Sequence, residues 1–275
     1  MRSVRTRGVL LHVILLLGVL VSIFPFYWMI VMATNNTSAI YQYPPKLTIG
    51  GEFFTNLQHV FERIDFVAAM GNTIVVATVT TLLVLFFDSL AAFTFAKFDF
   101  PGRRVLFGLL IGIFMLPAQL SLIPQFVIMA KIGWVGELQA LIVPAAANAF
   151  GIFWMRQYIS NAVPDELLDA ARLDGCNFFR QYWHVALPTI RPGLAFLGIY
   201  TFILAWNDYV WPLIVLVNPD RLTLQVALSQ LNRSYGNDYS MIMAGGLLAV
   251  LPLVIMFVLF ARNFIADAVK GAVRG

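Results

Sequence analysis

Six apolar stretches, each long enough to cross a lipid bilayer, constrain what this 275-residue chain can fold into. A membrane-spanning helix needs about 20 mainly apolar residues to cross the hydrocarbon core. The stretches follow one another so evenly that they leave no room for a separate soluble domain. The sequence therefore predicts an all-α membrane protein in which residues 1–275 form one transmembrane domain. The six predicted spans are residues 9–33, 68–96, 105–130, 138–158, 193–217 and 241–265.

The composition is that of a chain whose main solvent is lipid. Hydrophobic residues make up 60% of the sequence and charged residues 12%, whereas a soluble domain typically has about 25% charged residues. The net charge of +4 is explained by the basic residues that membrane proteins place on the cytoplasmic side, so we expect no nucleic-acid partner. With one cysteine, Cys176, the chain can form no internal disulfide.

The distribution of Lys and Arg predicts the orientation. With the N-terminus inside, 13 of the 18 Lys and Arg residues fall in cytoplasmic stretches and 5 fall on the other side. This bias places both termini in the cytoplasm, in agreement with an even number of spans. The first span is too long for the apolar core of a signal peptide, so we expect it to remain as a membrane anchor.

The longest cytoplasmic segment, residues 159–192, contains the signals of a short helix followed by a turn. Pro164 suits the first position of a helix, where its missing N–H costs nothing. Asp165 and Glu166 then lie at the positive end of the helix dipole. Gly175 follows where the helix would stop, because glycine adopts the left-handed cap conformation without penalty.

A second short helix is predicted at residues 178–185, rich in aromatic side chains and ended by Leu187-Pro188. The two helices would form a compact helix–turn–helix between two spans. From the residues alone, two interpretations remain open. The pair either rests on the lipid headgroups, or it docks in a groove of a soluble partner and transmits motion to the flanking spans.

The spacing in this segment resembles the EAA loop of the permeases of binding-protein-dependent ABC importers. That loop has Glu-Ala-Ala, three residues, Gly, nine residues and then Ile-x-Leu-Pro. Asp169 replaces Glu and Val185 replaces Ile, and the shorter Asp169 has less reach toward a partner. The matching residues are Asp169, Ala170, Ala171, Gly175, Val185, Ala186, Leu187 and Pro188.

The resemblance covers most of the chain and is closest to the carbohydrate branch of the family. It extends to Met115-Leu116-Pro117 and to residues 98–104 and 206–213. The similar type is the six-helix permease that pairs with a longer sister permease, as in maltose and glycerol-phosphate uptake. The resemblance implies the type I ABC importer permease fold and a multi-pass location in a bacterial or archaeal inner or plasma membrane.

By this resemblance the chain forms half of a pore with a second permease and has no catalytic activity. Two copies of a cytoplasmic ATPase would dock on the EAA loops, and an extracytoplasmic binding protein would deliver the solute. ATP and Mg²⁺ would belong to the ATPase, since this chain lacks GxxxxGK[ST] and is expected to bind no cofactor. The implied ATPase-coupling residues are Asp165, Glu166, Asp169, Ala170, Ala171, Asp174, Gly175, Leu187 and Pro188.

Polar groups within the spans are candidates for the substrate path, because such groups are costly in a bilayer and often mark a transport route. Trp206, Asn207 and Asp208 combine an aromatic face, an amide and a carboxylate, which suits a sugar. Gln119 and Asn148 are further candidates. Hydrogen bonding between helices is the alternative for each. An amino sugar, a disaccharide or a glycerophosphodiester would fit, and the lack of a basic cluster in the spans favours a neutral or aminated sugar.

The outer segment 218–240 is rich in Asn, Asp, Ser and Gly. In maltose-type permeases the matching loop reaches into the binding protein. This makes Arg233, Tyr235, Asn237 and Asp238 candidate contacts by resemblance. A solvated connector is the alternative.

Two other functions compete with this interpretation. A membrane enzyme is disfavoured because His12, His59 and His184 are far apart and no HExxH or Gly-x-Ser-x-Gly occurs, and we expect no metal site. A stand-alone secondary transporter or channel would usually bring more helices and inverted repeats. It would also have no use for an EAA-like loop.

Overall fold

The computed structural model describes residues 2–234 and 238–272, with side chains described at 11–232 and 238–258. Within these ranges every regular element is helical, which confirms the all-α class. The first helices are α1 Arg2–Thr34, α2 Thr37–Tyr41, α3 Phe53–Arg63, α4 Phe66–Lys97, α5 Arg103–Phe114, α6 Leu122–Lys131 and α7 Gln139–Ile142. They are followed by α8 Ala149–Ala162, α9 Asp165–Leu173, α10 Phe178–Gln181, α11 Leu187–Thr189, α12 Arg191–Asn207, α13 Val210–Val215, α14 Leu224–Ser234 and α15 Tyr239–Ala272.

Three of the described helices are long and apolar enough to cross a membrane: Leu11–Thr34 of α1, the whole of α4, and Tyr239–Val258 of α15. Two bent pairs raise the number to five if each pair is counted as one span. One is α5 with Ala118–Lys131, bent by 97°, and the other is Phe178–Thr189 with α12, bent by 81°. The six predicted spans therefore stay a prediction.

The predicted third and fourth spans are both interrupted. α5 ends at Phe114, and Pro117 follows with ψ 125°, an extended geometry that does not continue the helix. The run at 138–158 is divided into α7 and α8 by a turn that contains Pro144. Asn148 then starts α8, because its Oδ1 accepts a hydrogen bond from the backbone N–H of Gly151 at 2.7 Å. The stretch expected as one helix is thus two helices joined by a turn.

The chain divides into two compact units, and a buried asparagine organises the first of them. Asn56 of α3 donates hydrogen bonds from Nδ2 to the carbonyls of Ala33 and Asn35, both at 2.9 Å. It thereby donates to carbonyl groups that have no intrahelical partner where α1 ends, and it connects α3 to that end. The first unit comprises residues 1–66 and 227–252, and the second comprises residues 67–226 and 253–275.

In the second unit, α4 packs against α8 and α12 around a buried carboxylate. Asp88 of α4 is fully buried, and its Oδ1 accepts a hydrogen bond from the backbone N–H of Asn148 at 3.1 Å. Gly151 of α8 lies so close that a Cβ at this position would come within 2.0 Å of Asp88 Oδ2. The same Cβ would lie 3.3 Å from Leu197 Cδ1 of α12. The contact therefore requires glycine at position 151.

We expect Gly151→Ala to destabilise the folded chain. The added methyl group would overlap the buried Asp88 carboxylate, and overpacking of this kind typically costs about 1–3 kcal/mol. The apparent melting temperature in detergent, followed by size-exclusion chromatography, measures the effect. Gly112→Ala is the matched control, because Gly112 also lies within a helix and its added Cβ would meet no neighbouring atom within 4 Å. Equal melting temperatures for the two variants would contradict close packing at Gly151.

Candidate functional site

The helix–turn–helix predicted within 159–192 is present, and α9 is its first helix. Asp165 and Glu166 lie in its first turn, as predicted, and Arg172 lies in its last turn, so both ends complement the helix dipole. The prediction for Pro164 is wrong by one position. Pro164 is the N-cap, with ψ 143°, and the helix begins at the next residue. At either position the missing N–H of proline is harmless.

Gly175 ends α9 in the left-handed conformation predicted for it, with φ +78°. The N–H groups of Gly175 and Cys176 donate to the carbonyls of Arg172 and Ala171, at 3.0 and 2.9 Å. Asn177 then caps α10, because its Oδ1 accepts a hydrogen bond from the backbone N–H three residues on at 3.0 Å. Local hydrogen bonds therefore fix the path of the chain between the two helices.

The second helix differs from its prediction. α10 ends at Gln181, a π-helical turn covers Tyr182–Ala186, and α11 continues through Pro188 to Thr189. The expected stop at Leu187-Pro188 is therefore wrong. Pro188 lies directly after the π turn, at the second residue of α11.

Aromatic packing anchors residues 164–188, the predicted coupling segment, to the end of α4. Phe93 of α4 is fully buried, and its ring centroid lies 5.6 Å from that of Phe178 and 5.8 Å from that of Tyr182. The Tyr182 hydroxyl lies 2.7 Å from the hydroxyl of Ser89, one turn earlier on α4. Leu168 of α9, 2% exposed, joins the same core. The segment therefore forms one packed body with α4.

The opposite face of the predicted coupling segment is exposed and partly apolar. Leu173 is 90% exposed and Phe179 is 59% exposed. Leu173 was expected to add to the apolar surface of α9 but was not among the predicted coupling residues. Its spacing carries the signal, since it lies two residues from Ala171 and five from Leu168 and cannot share their face. Of the predicted coupling residues, Ala171 is buried, Leu187 is half-buried, and Asp165, Glu166, Asp169, Ala170, Asp174, Gly175 and Pro188 are exposed.

An ion pair joins the end of α4 to the start of α9. Lys97 Nζ lies 2.7 Å from Asp165 Oδ1, and the Lys97 side chain is 6% exposed while that of Asp165 is 78% exposed. The hydrogen bond from Lys97 and the charge of its ammonium group lower the pKa of the Asp165 carboxyl below its ordinary value of 3.8. Sequence reasoning missed Lys97, because the two residues are 68 positions apart.

We expect Asp165→Asn to lower the melting temperature by the same amount at every pH from about 5 to 8. The folded-state pKa of Asp165 is depressed, so its contribution is complete above the ordinary pKa and is lost only as the pH falls through the depressed value. Thermal unfolding in detergent at several pH values measures this. No difference at any of these pH values would show that Lys97 does not hold the carboxylate, and a difference that fades between pH 7 and pH 5 would contradict the lowered pKa.

Asp169→Asn is the matched control for this prediction. Asp169 pairs with Arg172 at 2.8 Å within the same helix, and both side chains are well exposed. An exposed pair of this kind contributes little to stability. The control should therefore leave the melting temperature nearly unchanged.

Two of the predicted substrate-path residues line one cavity of about 410 Å³ in the second unit. Asn148 reaches it from the start of α8, and Asp208 reaches it from the break between α12 and α13. The other three candidates do not line this cavity. Trp206 is buried on α12, the amide of Asn207 donates to a carbonyl of its own helix at 2.9 Å, and Gln119 is exposed in a 3-10 turn.

Three buried threonines line the same cavity. Thr80 of α4, Thr201 of α12 and Thr223 before α14 are 3%, 6% and 4% exposed. Each hydroxyl is buried and has no hydrogen-bond partner in the part of the chain that the structure describes. A buried hydroxyl without a partner is costly, so these three groups are available to hydrogen-bond a polar molecule in the cavity. Sequence reasoning missed them, because Thr80 and Thr201 lie in apolar spans, where a threonine usually bonds to its own helix, and Thr223 lies in the predicted outer segment 218–240.

Aromatic surface and a carboxylate complete the cavity. Phe150 and Tyr200 lie in its wall with ring centroids 4.8 Å apart, and the Asp208 carboxylate interacts with backbone N–H groups at the start of α13. None of the described lining residues is Lys, Arg or His. This arrangement suits a hydroxyl-rich solute that is uncharged or cationic. No group of three or more His, Cys, Asp or Glu residues that could hold a metal occurs among the described residues.

Asp238 has a structural role within the first unit. Its Oδ1 accepts hydrogen bonds from Thr37 Oγ1 at 2.7 Å and from the N–H of Met241, in the first turn of α15, at 3.2 Å. Tyr235 and Asn237 lie outside the described residues, as does the side chain of Arg233. Contact of these residues with a binding protein stays a prediction.

Comparison with known proteins places this architecture in a family. Residues 89–270 match the family described as binding-protein-dependent transport system inner membrane component. The lactose transport system permease protein of Rhizobium radiobacter is 34% identical over 261 residues, which cover 95% of this chain and 94% of that protein. The arabinooligosaccharides transport system permease protein of Halalkalibacterium halodurans is 37% identical over 205 residues, 74% of this chain and 73% of that protein. The sn-glycerol-3-phosphate transport system permease protein of Yersinia enterocolitica is 29% identical over 273 residues, 96% of this chain and 97% of that protein.

Solved structures share the fold. A chain of a bacterial ABC transporter involved in the import of the acidic polysaccharide alginate has a TM-score of 0.82 and 24% identity, covering 96% of this chain and 98% of that chain. A bacterial alginate ABC transporter in complex with an alginate pentasaccharide-bound periplasmic protein has a TM-score of 0.65 and 18% identity, over 94% of this chain and 96% of that chain. The expected ABC importer permease architecture is thus confirmed. The chain belongs to the family of binding-protein-dependent transport system inner membrane components, the non-catalytic permease subunits of ABC importers.

Proposed function

We propose that this chain imports a sugar as one of two different permease subunits and forms half of the translocation pore. Six spans, both termini in the cytoplasm, and a bacterial or archaeal inner or plasma membrane are part of the proposal. The relatives named for lactose and arabinooligosaccharide transport support the sugar. The three candidate spans, the two bent pairs and the distribution of basic residues support the topology.

In this proposal, residues 164–188 are the element on which a separate cytoplasmic ATPase docks. One observation carries it: the segment packs on α4 through Phe93 and Tyr182, while it presents Leu173 outward. A helix seated in a partner's groove passes its displacement to the elements on which it is packed. ATP and Mg²⁺ then belong to two copies of the ATPase. An extracytoplasmic binding protein delivers the solute, and the solved transporter in complex with a periplasmic protein supports this partner.

We expect Leu173→Ser to weaken ATPase docking about tenfold or more and to leave folding intact. Burial of a Leu side chain contributes about 1.5–3 kcal/mol, and about 1.4 kcal/mol is a factor of ten in affinity. Because Leu173 is 90% exposed, its replacement removes little packing within the chain. The tagged chain is co-expressed with its neighbouring genes and purified in mild detergent, and the recovered partners are quantified by mass spectrometry.

Leu47→Ser is the matched control for docking. Leu47 is 55% exposed in the connection between α2 and α3, on the proposed outer side, so ATPase recovery should not change. Undiminished ATPase recovery with Leu173→Ser contradicts docking at this face. Recovery of the chain alone, active in transport without ATP, overturns the importer in favour of a stand-alone carrier.

The polar cavity supports a neutral or aminated sugar as the solute. It offers the three threonine hydroxyls, the Asn148 amide and the Asp208 carboxylate, with no cation among its described lining residues. A phosphate or uronate would therefore meet the like charge of the Asp208 carboxylate. Lactose and arabinooligosaccharides, named in two relatives, are uncharged. Trp206, Asn207 and Gln119 stay proposed path residues outside this cavity.

We expect Thr201→Val to reduce sugar uptake about two- to tenfold while the melting temperature is unchanged or higher. Valine has nearly the same shape and removes a buried hydroxyl without a partner. The solute loses one hydrogen bond, which contributes about 0.5–1.5 kcal/mol. Binding-protein-dependent uptake into proteoliposomes is measured with lactose and an arabinooligosaccharide as first probes.

Thr73→Val is the control, because it shows how much the melting temperature falls when a hydroxyl with a structural role is removed. Thr73 Oγ1 accepts a hydrogen bond from the backbone N–H of Leu224 at 2.8 Å and donates to the carbonyl of Ala69 at 2.9 Å. Its removal leaves a buried N–H unpaired, so the melting temperature should fall. If Thr201→Val lowers the melting temperature as much as Thr73→Val does, the hydroxyl is structural and the cavity assignment is wrong.

A further inference from the structure

A second cavity, of about 490 Å³, lies where α4 ends and α5 begins. Three arginines line it: Arg103 and Arg104 in the first turn of α5, and Arg156 on α8. Among its described lining residues, Asp99 is the one carboxylate, and it accepts a hydrogen bond from Arg103. The cavity therefore has an excess of positive charge.

The start of α5 adds to this positive potential. The first turn of α5 contains no acidic residue, and its N-cap Gly102, with φ +82°, provides no side-chain cap. The open N–H groups at a helix start are equivalent to about half an elementary positive charge. Helix starts usually have acidic side chains, so two arginines at this end favour an anion from outside the chain.

Arg156 reaches the cavity with an unsatisfied nitrogen. Its Cζ lies 4.8 Å from the centroid of the Phe107 ring, a cation–π contact that orients the guanidinium group. Its Nε is buried and has no hydrogen-bond partner in the part of the chain that the structure describes. A buried N–H without an acceptor is costly, so a ligand with acceptor oxygens would stabilise this arrangement.

We propose that this cavity binds the phosphate group of an anionic phospholipid in the cytoplasmic leaflet. Arginine matches phosphate oxygens through its planar set of donors. Val105, which lines the cavity, begins an apolar stripe along α5 that continues through Leu109 and Ile113. These three side chains are 66%, 59% and 65% exposed. A cationic pocket continuous with an exposed apolar helix face matches a headgroup and its acyl chain, whereas free phosphate would use the pocket alone.

The assignment to the cytoplasmic leaflet rests on the topology in the proposed function. In that topology residues 97–104 lie on the cytoplasmic side, where basic pockets between spans suit anionic headgroups. The two cavities then differ in chemistry. Among the described lining residues, the first has a carboxylate and no cation, which suits a neutral or cationic solute, and the second has three arginines, which suit an anion.

The test uses the complete transporter, co-expressed with its partners and purified in mild detergent. Native mass spectrometry compares the retention of phosphatidylglycerol with that of phosphatidylcholine, and inorganic phosphate is a separate probe of thermal stability. We expect preferential retention of phosphatidylglycerol, reduced about fivefold by Arg104→Gln, since removal of one basic group near a membrane surface has about this effect. Arg104 is exposed, so this variant should fold. Arg156→Lys keeps the charge but loses the planar donors, and retention should again fall.

Lys131→Gln is the matched control, because Lys131 is an exposed basic residue at the end of α6 and does not line the cavity. The proposal is overturned if Arg104→Gln retains as much phosphatidylglycerol as the unaltered chain does. It is also overturned if the unaltered chain retains phosphatidylglycerol and phosphatidylcholine equally. Stabilisation by inorganic phosphate equal to that by phosphatidylglycerol also overturns it. Selective lipid retention without a recovered ATPase would support the lipid site and contradict the proposed function. ATP-driven uptake without lipid selectivity would support the proposed function and contradict the lipid site.

Discussion

The unbroken backbone of α4 is the element on which the rest of the second unit depends. In a bilayer, backbone N–H and C=O groups must be paired within the protein, and α4 meets this requirement over 32 residues without a proline. Thr80 lines the polar cavity, Asp88 holds the start of α8, and Phe93 and Lys97 hold the coupling segment. Thr80 and Lys97 are about 25 Å apart at the helical rise per residue. One rigid helix therefore connects the polar cavity with the proposed coupling segment.

Features of the fold that depend on local chemistry could be predicted from the sequence alone. The spans that become α1, α4 and α15 were predicted within several residues of their starts, because a helix in lipid is encoded by composition over its length. Gly175 was predicted as a left-handed cap, because few other residues take that conformation without strain. The spaced EAA-like pattern identified the family, which the family match then confirmed.

Features that depend on distant contacts could not be predicted. The break before α8 is stabilised when Asp88, 60 positions earlier, accepts the N–H of Asn148. Thr80 and Thr201 line the same cavity only because α4 and α12 pack together in the folded chain. Pro188 usually signals a helix end, yet the preceding π turn lets the helical path continue through it.

The unequal exposure of Lys97 and Asp165 has a mechanical consequence. The ammonium group is held away from water, and its carboxylate partner lies at the surface of α9, where another protein can reach it. Pulling α9 away from α4 would leave a buried cation without a counter-charge, which is far less favourable than separating two hydrated ions. The pair therefore resists separation of the two helices, so that a displacement of α9 is passed to the end of α4.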